Sequence, residues 1–579
     1  MQLLKHFHKL SIHPKNAGEL KGLILQLSIQ GKLTADWRKQ NPKLITGLNS
    51  AETLLKNIKT EKQRLISEKI IKKEKKLDPV PKHLITYKVP KNWVQTRLGE
   101  IGDWGAGATP LRSNSLFYDG SINWFKSGEL NNGIIDFESK EKITEFALKK
   151  TSLRLNKPGD ILIAMYGATI GKTAILAVKG TTNQAVCACT TFKGFSNTYL
   201  HLLLKGLKKD FINQGEGGAQ PNISRVKIRN KIFALPPLEE QKEIVRVVEI
   251  LFKEVQQLEN LTQERIQLKQ DYVSSALNQL ATQNTQTAWQ ELTPHFSTFF
   301  DDVTNIKKLR ETILQLAVQG KLTADWRNRH PELVSASHHA SELLKSIQQE
   351  KAQLIKEKKI KKEKTLPPIT PEEIPYELPE GWVWCRFQEI FDVRDGTHDS
   401  PKNVSDKNSY PLVTSKDFKK GFIDLENTKR ISEKDYYKII QRSLVEEDDI
   451  LFSMIGGNLG NQVMVKGNTD FAIKNVALFK YYKKSLSVPD FLKIFSEHTA
   501  YEIQYKATGG AQPFVSLTFL RQMLFPLPSL EEQEAIVEKV NALMSLCDQL
   551  EEEVKTGKQQ VEDLMKSVIR EVFEEAKSV

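Results

Sequence analysis

Cysteine is scarce in this sequence, with four residues in a chain of 579. Cys187, Cys189, Cys385 and Cys547 form no Cys-x-x-Cys pair with histidines nearby, which is a common spacing of zinc ligands. A disulfide scaffold would carry more cysteines in a much shorter chain. We therefore expect neither a zinc site nor a disulfide framework.

Long apolar runs are also missing. No segment approaches the roughly 18 uninterrupted apolar residues that a membrane-spanning helix requires, and the first residues, MQLLKHFHKLSIHPKN, lack the apolar run of a signal peptide. The composition, with 39% hydrophobic and 27% charged residues, is that of an ordinary soluble protein. We expect a cytosolic chain with no membrane contact, divided into several domains because single cores rarely exceed about 300 residues.

Acidic residues are fewer than basic ones, 71 against 84, and the formal net charge is +13. Such an excess suits a polyanion such as nucleic acid, since each cation placed near a phosphate releases condensed counterions. Charge alone does not decide the matter, because many basic proteins bind no nucleic acid.

The sequence contains an internal repeat. ILQLSIQGKLTADWR from Ile24 returns as ILQLAVQGKLTADWR from Ile313, with only two of the paired residues different. GGAQPNIS from Gly217 returns as GGAQPFVS from Gly509, and LPPLEEQ returns as LPSLEEQ, while the segments between these motifs diverge. Similar frameworks with dissimilar middles favour two related recognition tasks with different targets, although drift after duplication would also produce divergence.

Each copy is predicted to begin with helices and to continue as a mainly β domain. LKGLILQLSIQGKL has apolar residues at helical spacing and ends near a glycine. A second helix, rich in Lys and Glu and including SEKIIKKEKKL, is expected to present a solvated face, with contact to phosphate as the alternative, and to end at the prolines that follow. Short apolar runs such as DILIAMYG and DILFSMIGG, separated by Gly, Asn and Ser clusters, indicate strands and long loops.

A long helix is predicted after each LPxLEEQ motif, because proline followed by an acidic first turn is typical of a helix start. The second of these helices has a heptad seam between residues 536 and 568. The first has apolar seam residues between 244 and 258 and then Thr262, Arg265 and Lys269, so its far half is more polar. Two such helices in one chain favour mutual packing as an antiparallel coiled coil.

The predicted fold is therefore α+β, with two mixed, mainly β domains separated by long helices packed as an antiparallel coiled coil and related by a pseudo-twofold internal repeat. The expected parts are an N-terminal helical region (1–90), a first recognition domain (91–237), a first long helix (238–282), a linker plus repeated helical region (283–379), a second recognition domain (380–529) and a second long helix (530–579).

The stretch YGATIGKT, Tyr166 to Thr173, has some features of a phosphate-binding loop. Such a loop needs four residues between its first glycine and Gly-Lys, and a helix after it. Gly167 is followed by only three residues before Gly171, and then by a β-branched, apolar segment. The second copy has GGNLGNQ here, which keeps the glycines and loses the lysine and threonine. We predict a glycine turn between two strands.

Other catalytic patterns are also missing from the sequence. LPPL from Leu235 has apolar ends, unlike the Asn- or Asp-Pro-Pro-aromatic tetrapeptide of methyltransferases that act on exocyclic amines, and no glycine-rich cofactor fingerprint is present. DFESK from Asp136 has the residue types of a metal-dependent nuclease, but its counterpart DLENT has no lysine, and we favour plain surface charge. The histidines are scattered. We predict a non-catalytic chain with no cofactor or metal of its own.

The combination of ILQLAVQGKL, GGAQPNIS and LPPLEEQ, present twice in matching order with two variable domains each followed by a long helix, resembles the specificity subunit of Type I restriction-modification systems. The resemblance covers nearly the whole chain. It implies that each variable domain is a target recognition domain. It also implies that the chain reads a bipartite, asymmetric sequence in double-stranded DNA, one half-site per domain, with the helices setting the spacing.

The same resemblance implies partners and a location. Two modification subunits would use S-adenosylmethionine to methylate adenine at N6 after flipping it out, and two restriction subunits would use ATP and Mg to translocate and cleave DNA. S-adenosylmethionine, ATP and Mg would belong to those partners and not to this chain. The complex is expected in the cytoplasm of a bacterium or archaeon.

Base-reading residues are expected on the loops of the two variable domains, where Asn or Gln reads adenine and Arg or Lys reads guanine. For each candidate the alternative is a solvated loop residue. We favour a framework role for the GGAQP element, since it occurs in both copies, and the change from Asn222 to Phe514 fits either a specificity position or drift in a core. The candidates are Thr109, Arg112, Ser113, Lys126, Lys172, Gln220, Asn222, Arg225, Thr397, His398, Lys416, Asn458, Asn461, Gln512 and Ser516.

Two rival functions remain at this point. A coiled-coil scaffold that binds proteins without reading DNA would show no sequence-selective DNA binding. A nucleotide-dependent enzyme would lose all activity on Lys172→Ala. The paired tryptophans of the repeated framework, Trp37 with Trp326 and Trp93 with Trp382, are expected to pack in the interior, with contact to modification subunits as the alternative.

Overall fold

The computed structural model of the chain describes residues 16–75, 77, 79–81, 88–213, 222–282, 285–334, 339–405, 408–419, 421–506 and 514–574. The chain divides into two compact units. Unit 1 comprises Met1–Ile266 with Gln559–Val579, and unit 2 comprises Gln267–Lys558. Within the described ranges, no helix combines the length and the apolarity that a membrane crossing requires.

Unit 1 begins with helices, as the periodicity predicts. The first ends where Gly31 adopts a φ of +69°, and the Ser50 hydroxyl caps a later helix by accepting a hydrogen bond from the Thr53 amide. Among the described residues, the α-helices of unit 1 are Asn16–Ile29, Ala35–Gln40, Ala51–Ser67, Glu145–Lys150, Asn197–Gly206, Lys208–Asn213, Arg225–Asn230, the first part of Leu238–Thr282, which we call the first long helix, and the end of Leu530–Glu574.

The Lys- and Glu-rich segment after the third of these helices is not helical, and our prediction of a solvated helix there is wrong. The helix stops at Ser67, Lys69 adopts a φ of +58°, and the Ile70 amide donates to the Leu65 carbonyl oxygen. Lys358 repeats this in the second copy with a φ of +59°. A left-handed residue followed by such a backbone bond is a helix C-cap, so the helix ends well before the prolines.

In the described part of unit 1, the strands form one large sheet and two smaller ones. The large sheet has the order β2-β9-β6-β7-β4, the second has the order β5-β3-β8, and β1 pairs with β10. The strands are β1 (Val94–Arg97), β2 (Gly102–Ala106), β3 (Tyr118–Phe125), β4 (Ile134–Ile135), β5 (Lys142–Ile143), β6 (Ile161–Ala164), β7 (Thr173–Leu176), β8 (Thr181–Thr182), β9 (Val186–Thr191) and β10 (Ile232–Leu235).

Strand β6 explains why DILIAMYG is apolar throughout. Its residues alternate between two separate cores: Ile161 and Ile163 belong to the larger one, and Leu162 and Ala164 belong to a smaller one. All four side chains are buried. A strand with both faces covered has no polar face, so it reads as a continuous apolar run instead of an alternating one.

Unit 2 repeats this plan with different strand lengths. Its strands are β11 (Val383–Arg386), β12 (Phe391–Asp395), β13 (Tyr410–Val413), β14 (Phe418–Lys419), β15 (Phe422–Ile423), β16 (Lys429–Ile431), β17 (Ile450–Ser453), β18 (Gln462–Met464), β19 (Ala472–Ile473), β20 (Val476–Tyr481) and β21 (Leu524–Leu527). They form a sheet of order β12-β20-β17-β18, a sheet of order β16-β13-β19, and the pairs β14-β15 and β11-β21.

The helices of unit 2 include the end of the first long helix and most of a second one. They are Thr285–Leu292, Phe296–Phe299, Val303–Val318, Ala324–Arg329, Pro331–Val334, Ala340–Lys356, Phe387–Ile390, Glu433–Ser443, Pro489–Lys506, Leu517–Gln522 and Leu530–Glu574, which we call the second long helix. The chain is thus α+β with two mixed, mainly β regions and long helices, as predicted.

The repeated motifs of unit 1 meet around one buried carboxylate. The hydroxyl of Thr34 donates to Oε1 of Glu240 at 2.7 Å, and Nη1 of Arg38 donates to the same oxygen at 2.5 Å. Nη2 of Arg38 donates to the Gly31 carbonyl oxygen at 2.6 Å. GKLTADWR near the start of the unit is therefore joined to LEEQ at the start of the first long helix.

Unit 2 has the same arrangement. The hydroxyl of Thr323 donates to Oε1 of Glu532 at 2.7 Å, and Arg327 binds the same carboxylate. Trp93 and Trp382 are buried, which confirms the packing prediction for that pair. The motifs that are repeated in the sequence therefore form the same buried polar junction in each unit.

The two long helices contribute to shared cores in both units. In unit 1, Val255 of the first long helix and Leu564 near the end of the second lie in one apolar cluster. In unit 2, Val273 and Leu277 of the first long helix lie in the same core as Cys547 of the second. The helices therefore meet in opposite order in the two units, as an antiparallel pair does.

The seam of the first long helix differs from the prediction in its far half. Arg265, placed on the seam from the heptad count, is exposed, and the buried residues beyond it are apolar: Val273, Leu277 and Leu280. They face the unit 2 core, which includes helix Val303–Val318. A strict heptad count does not predict the buried face in this half, because the helix packs against different partners along its length.

Candidate nucleic-acid interface

One end of the large sheet in unit 1 gathers loops that are distant in sequence. The register pairs Ala106 with Cys187, Ala164 with Val186, and Ile163 with Thr173. The end of β2, the start of β9, the end of β6 and the start of β7 therefore lie together. Loop residues 107–113 and 165–172 emerge at this point, and we call them, with residue 222, sheet end 1.

The stretch YGATIGKT is a hairpin, as predicted. The Gly171 amide donates to the Ala164 carbonyl oxygen at 3.0 Å, and the Ala164 amide donates to the Lys172 carbonyl oxygen at 2.8 Å. Gly167 and Gly171 both adopt positive φ, +58° and +74°. The turn is followed by strand β7, whereas a phosphate-binding loop is followed by a helix.

Asn222 reaches sheet end 1 through the backbone. It forms an isolated antiparallel bridge with Tyr166, at the start of the hairpin loop. The next residue, Ile223, is buried, and its amide donates to the Met165 carbonyl oxygen at 2.9 Å. Asn222 itself is exposed beside the half-buried Lys172 hairpin. Two of the predicted residues are therefore brought to one place from chain positions 50 residues apart (222 − 172).

Arg112 and Lys126 share one carboxylate. Nη1 of Arg112 lies 2.7 Å from Oε2 of Glu141, and Lys126 pairs with the other oxygen of that carboxylate. Bonds from Lys126 and then Arg112 hold the pKa of Glu141 below its usual value. The Arg112 guanidinium also lies over Tyr118 and Trp124, 4.7 and 5.0 Å from the ring centroids. Two cations on one anion leave a net positive charge.

The remaining candidates of unit 1 are divided between surface and framework. Thr109 and Ser113 are exposed on the loop of sheet end 1. Arg225 is held by the framework instead, because its Nη1 donates to Oε1 of Glu74 at 2.8 Å and to the Trp104 carbonyl oxygen at 2.9 Å. Gln220 lies outside the described residues.

Unit 2 has an equivalent sheet end. Asp395 pairs with Ala477, Ser453 pairs with Val476, and β17 and β18 form a hairpin. Residues 396–400, 454–461 and 474–475 therefore emerge together, and we call them, with residue 514, sheet end 2. Thr397, His398, Asn458 and Asn461, all predicted, belong to it.

Lys416 lies next to sheet end 2, just after β13. The Lys474 amide donates to the Val413 carbonyl oxygen at the end of that strand, at 2.9 Å. Ser516 has a local role, since its hydroxyl accepts a hydrogen bond from the Phe519 amide and caps the helix that follows. Gln512 lies outside the described residues.

His398 is fixed in place by two neighbours. Its Nε2 lies 3.0 Å from Oδ2 of the buried Asp395, and its Nδ1 lies 3.1 Å from Oδ1 of Asn475. Asp395 also accepts from Arg442 on helix Glu433–Ser443. Lys438 of the same helix lies 3.5 Å from Asp399. This part of sheet end 2 is an exposed, preorganised set of polar and cationic groups.

Some residues of these surfaces were missed from the sequence. Lys438 and Arg442 were overlooked, although EKDYYKIIQR places cations four residues apart, on one helical face. Tyr166 and Ile455, which border the glycine turns, were overlooked, and Phe514 was left open as either a specificity position or drift in a core. All of these side chains are exposed.

The described residues contain no cluster of His, Cys, Asp or Glu suited to hold a metal ion. Asp136 and Glu138 of DFESK are exposed, as expected for surface charge. The four cysteines are buried and unpaired. The pKa of the Cys187 thiol rises to about 12 through burial, so this group stays protonated at neutral pH.

The chain matches known proteins over most of its length. The Methylase_S family model, described as the Type I restriction modification DNA specificity domain, matches residues 90–270 and again residues 379–558. The specificity subunit of the Type I restriction enzyme EcoAI from Escherichia coli is 30% identical over an alignment of 574 positions, which covers 93% of this chain and 91% of that protein. The EcoEI specificity subunit of the same species is 30% identical over 64% of this chain and 61% of that protein.

A solved structure described as the HsdS subunit from Thermoanaerobacter tengcongensis aligns with 85% of this chain and 98% of its own, at 17% identity and a TM-score of 0.41. The two matched segments each contain one mainly β region and the first part of the long helix that follows it. From the family match and the 30% identical relative that spans nearly its whole length, this chain belongs to the family of Type I restriction-modification specificity subunits.

Proposed function

We propose that this chain reads a bipartite, asymmetric DNA sequence, with one half-site bound at sheet end 1 and the other at sheet end 2. The observation that carries the proposal is the convergence of predicted residues from separate loops at equivalent sheet ends. Thr109, Lys172 and Asn222 meet in unit 1, and Thr397, His398 and Asn461 belong to the equivalent place in unit 2. Loops held by a rigid sheet are a common way of presenting base-reading side chains.

The chemistry of the two ends supports different targets. Sheet end 1 has an amide, Asn222, and a lysine, Lys172, next to the shared Arg112–Lys126–Glu141 cluster. Asn suits adenine and Lys or Arg suits guanine in the major groove. The exposed ion pairs cost little to exchange, so DNA phosphate can replace Glu141 as their partner. Sheet end 2 has His398 and Asn461, and it has the exposed apolar pair Ile455 and Phe514 where sheet end 1 has Tyr166 and Asn222. Different side chains on equivalent frameworks give an asymmetric target.

The chain would act through partners. We propose that it carries no catalytic group and that it recruits two modification subunits and two restriction subunits. S-adenosylmethionine, ATP and Mg would be used by those subunits in the cytoplasm. The names of the relatives, which are specificity subunits of Type I restriction enzymes, support this division of labour. The repeated framework, in which GKLTADWR joins LEEQ once in each unit, suits two equal partners, one for each unit.

The test is a selection from randomised duplex DNA by the purified chain together with its modification subunit. We expect one bipartite motif with a fixed, unspecified spacer. A coiled-coil scaffold that does not read DNA would return no enriched motif, and that result would overturn the proposal. A single contiguous motif would contradict the division between two sheet ends.

A further inference from the structure

The residue that follows the repeated GGAQP element is polar in unit 1 and apolar in unit 2, and the structure places it at the sheet end in both. Asn222 forms a bridge with Tyr166, and Phe514 forms the equivalent bridge with Ile455. Residues directly opposite each other in an antiparallel bridge have side chains on the same face. Each sheet end therefore presents one pair of adjacent side chains, and the two pairs differ in chemistry.

The pair in unit 2 is not part of a core. Phe514 is 68% exposed and Ile455 is 40% exposed. Among the described residues of unit 2, Phe514 is the most exposed of the large apolar side chains. Drift within a core, one explanation for the change from Asn222, is excluded by this exposure. An aromatic ring left in water is unfavourable unless a partner covers it.

The backbone holds the exposed ring in a fixed position. Val515 is buried, and its amide donates to the Met454 carbonyl oxygen at 2.9 Å. Ser516 caps the helix Leu517–Gln522. The backbone of Phe514 is thus anchored on its C-terminal side by a buried residue and a helix start, which fixes the place from which its ring is presented.

The surroundings identify the occupant of this surface as DNA. The same sheet end includes the exposed His398 and Asn461 and the half-buried Asn458 and Lys474. A surface that binds another protein would be expected to have more apolar side chains around this pair. Polar and cationic loops around a single apolar pair fit the major groove, in which the only apolar group on a base edge is the 5-methyl group of thymine.

We propose that Phe514 and Ile455 read a thymine by contact with its 5-methyl group in the half-site bound by unit 2. This inference rests on the proposed function. Phenylalanine and isoleucine side chains have no donor or acceptor, so their discrimination between bases depends on shape and apolar contact. Tyr166 and Asn222 occupy the equivalent positions in unit 1 and both can form hydrogen bonds with a base edge.

The inference is tested with duplexes in which each thymine of the unit 2 half-site is replaced in turn by deoxyuridine, which lacks the methyl group. The dissociation constant is measured for the chain in complex with its modification subunit. We expect one replacement to weaken binding by the wild-type chain about fourfold, the value for losing one buried methyl group. Phe514→Ala is expected to bind thymine and deoxyuridine duplexes equally at that position.

Two further variants complete the test. Phe514→Asn, which installs the unit 1 residue, should also lose the difference between thymine and deoxyuridine. Trp289→Ala removes an exposed aromatic residue of helix Thr285–Leu292, which is not part of sheet end 2, and should keep the difference between thymine and deoxyuridine. Both positions are exposed, so matched thermal unfolding of the variants is expected.

The inference is overturned if no deoxyuridine replacement weakens wild-type binding, or if Phe514→Ala keeps the full discrimination. Failure of the proposed function is a separate result, because the wild-type chain would then show no sequence preference on any duplex.

Discussion

Nε1 of Trp93 donates a hydrogen bond to Oε2 of Glu240 at 2.9 Å, and Nε1 of Trp382 donates to Oε2 of Glu532 at 2.7 Å. In each unit the tryptophan lies one residue before the first strand of the mainly β region, and the glutamate lies in the first turn of the following long helix. The bond therefore joins the two points of the chain at which each mainly β region begins and ends. It links the β region to the helix with a charge-assisted hydrogen bond in a buried setting.

Glu240→Gln is expected to destabilise unit 1. The Arg38 guanidinium, whose side chain is only 15% exposed, would lose its carboxylate partner. Removing one member of a buried pair costs about 3 kcal/mol or more, because the other charge stays buried without compensation. Urea unfolding of the full chain, followed by tryptophan fluorescence, measures the loss.

Glu239→Gln is the matched control for this change. Glu239 is the preceding residue, and its exposed carboxylate pairs with Lys242 three positions on. Exposed pairs of this kind contribute about 0.5 kcal/mol or less. Equal unfolding midpoints for the Glu239 and Glu240 variants would contradict the role of the buried junction.

Gly171→Ala is expected to destabilise the hairpin of sheet end 1. Gly171 adopts a φ of +74°, and an added Cβ would lie 2.8 Å from Cγ of Lys208. The left-handed conformation alone costs a residue with a side chain about 1–2 kcal/mol. Gly128→Ala is the control, since no atom lies within 4 Å of its added Cβ. Faster hydrogen exchange in residues 161–176 of the first variant only is the expected result.

Lys172→Ala distinguishes DNA contact from nucleotide binding. If Lys172 contacts a phosphate, the slope of log K against log salt should become shallower by about 0.9, with no dependence on added nucleotide. If it reads a base, the preferred sequence should change at one position of one half-site. Complete loss of activity with an unchanged salt slope would instead favour the hypothesis of a nucleotide-dependent enzyme.

His201 makes unit 1 sensitive to acid. Burial on helix Asn197–Gly206, together with the nearby charge of Lys205, lowers the pKa of His201 to about 3, so the folded chain holds the imidazole neutral. The pKa of a histidine in the unfolded chain is about 6.5. The contribution of the neutral His201 to the free energy of unfolding is therefore fully present above that pH and is lost as the pH falls towards 3. The loss at pH 5 should be about 2 kcal/mol.

His201→Leu keeps an apolar side chain at this position and removes the titration. Its unfolding midpoint should therefore change less than that of the wild type between pH 7.5 and pH 5. An identical change in both proteins would show that other groups dominate the acid sensitivity.

Much of the fold follows from patterns that depend on short-range chemistry. The heptad seam of the second long helix, the glycine turn at Gly171 and the continuous apolar run of β6 were all predictable, because periodicity and conformational preference are local. The ends of the helices were harder to predict from the sequence. The left-handed turn at Lys69 occurs in a charged segment that contains no glycine or proline to signal it.

The candidate surface was predictable only in part, because residue type is visible in the sequence and exposure is not. Arg225 has the right chemistry for DNA but is bound to Glu74, a partner 151 residues away in the chain. Phe514 has the composition of a core residue, yet a bridge to Ile455 keeps it on the surface. Both outcomes depend on pairings that no local pattern encodes.

The central claim is that each sheet end reads one half of the target. It is tested by mapping methylated adenines in cells that express the chain with its modification subunit, for the wild type and two variants. Thr109→Ala with Asn222→Ala alters sheet end 1, and Thr397→Ala with Asn461→Ala alters sheet end 2. We predict that each variant relaxes or changes one half of a bipartite motif and leaves the other half and the spacer unchanged. If either variant changes both halves, or if both change the same half, the account is contradicted.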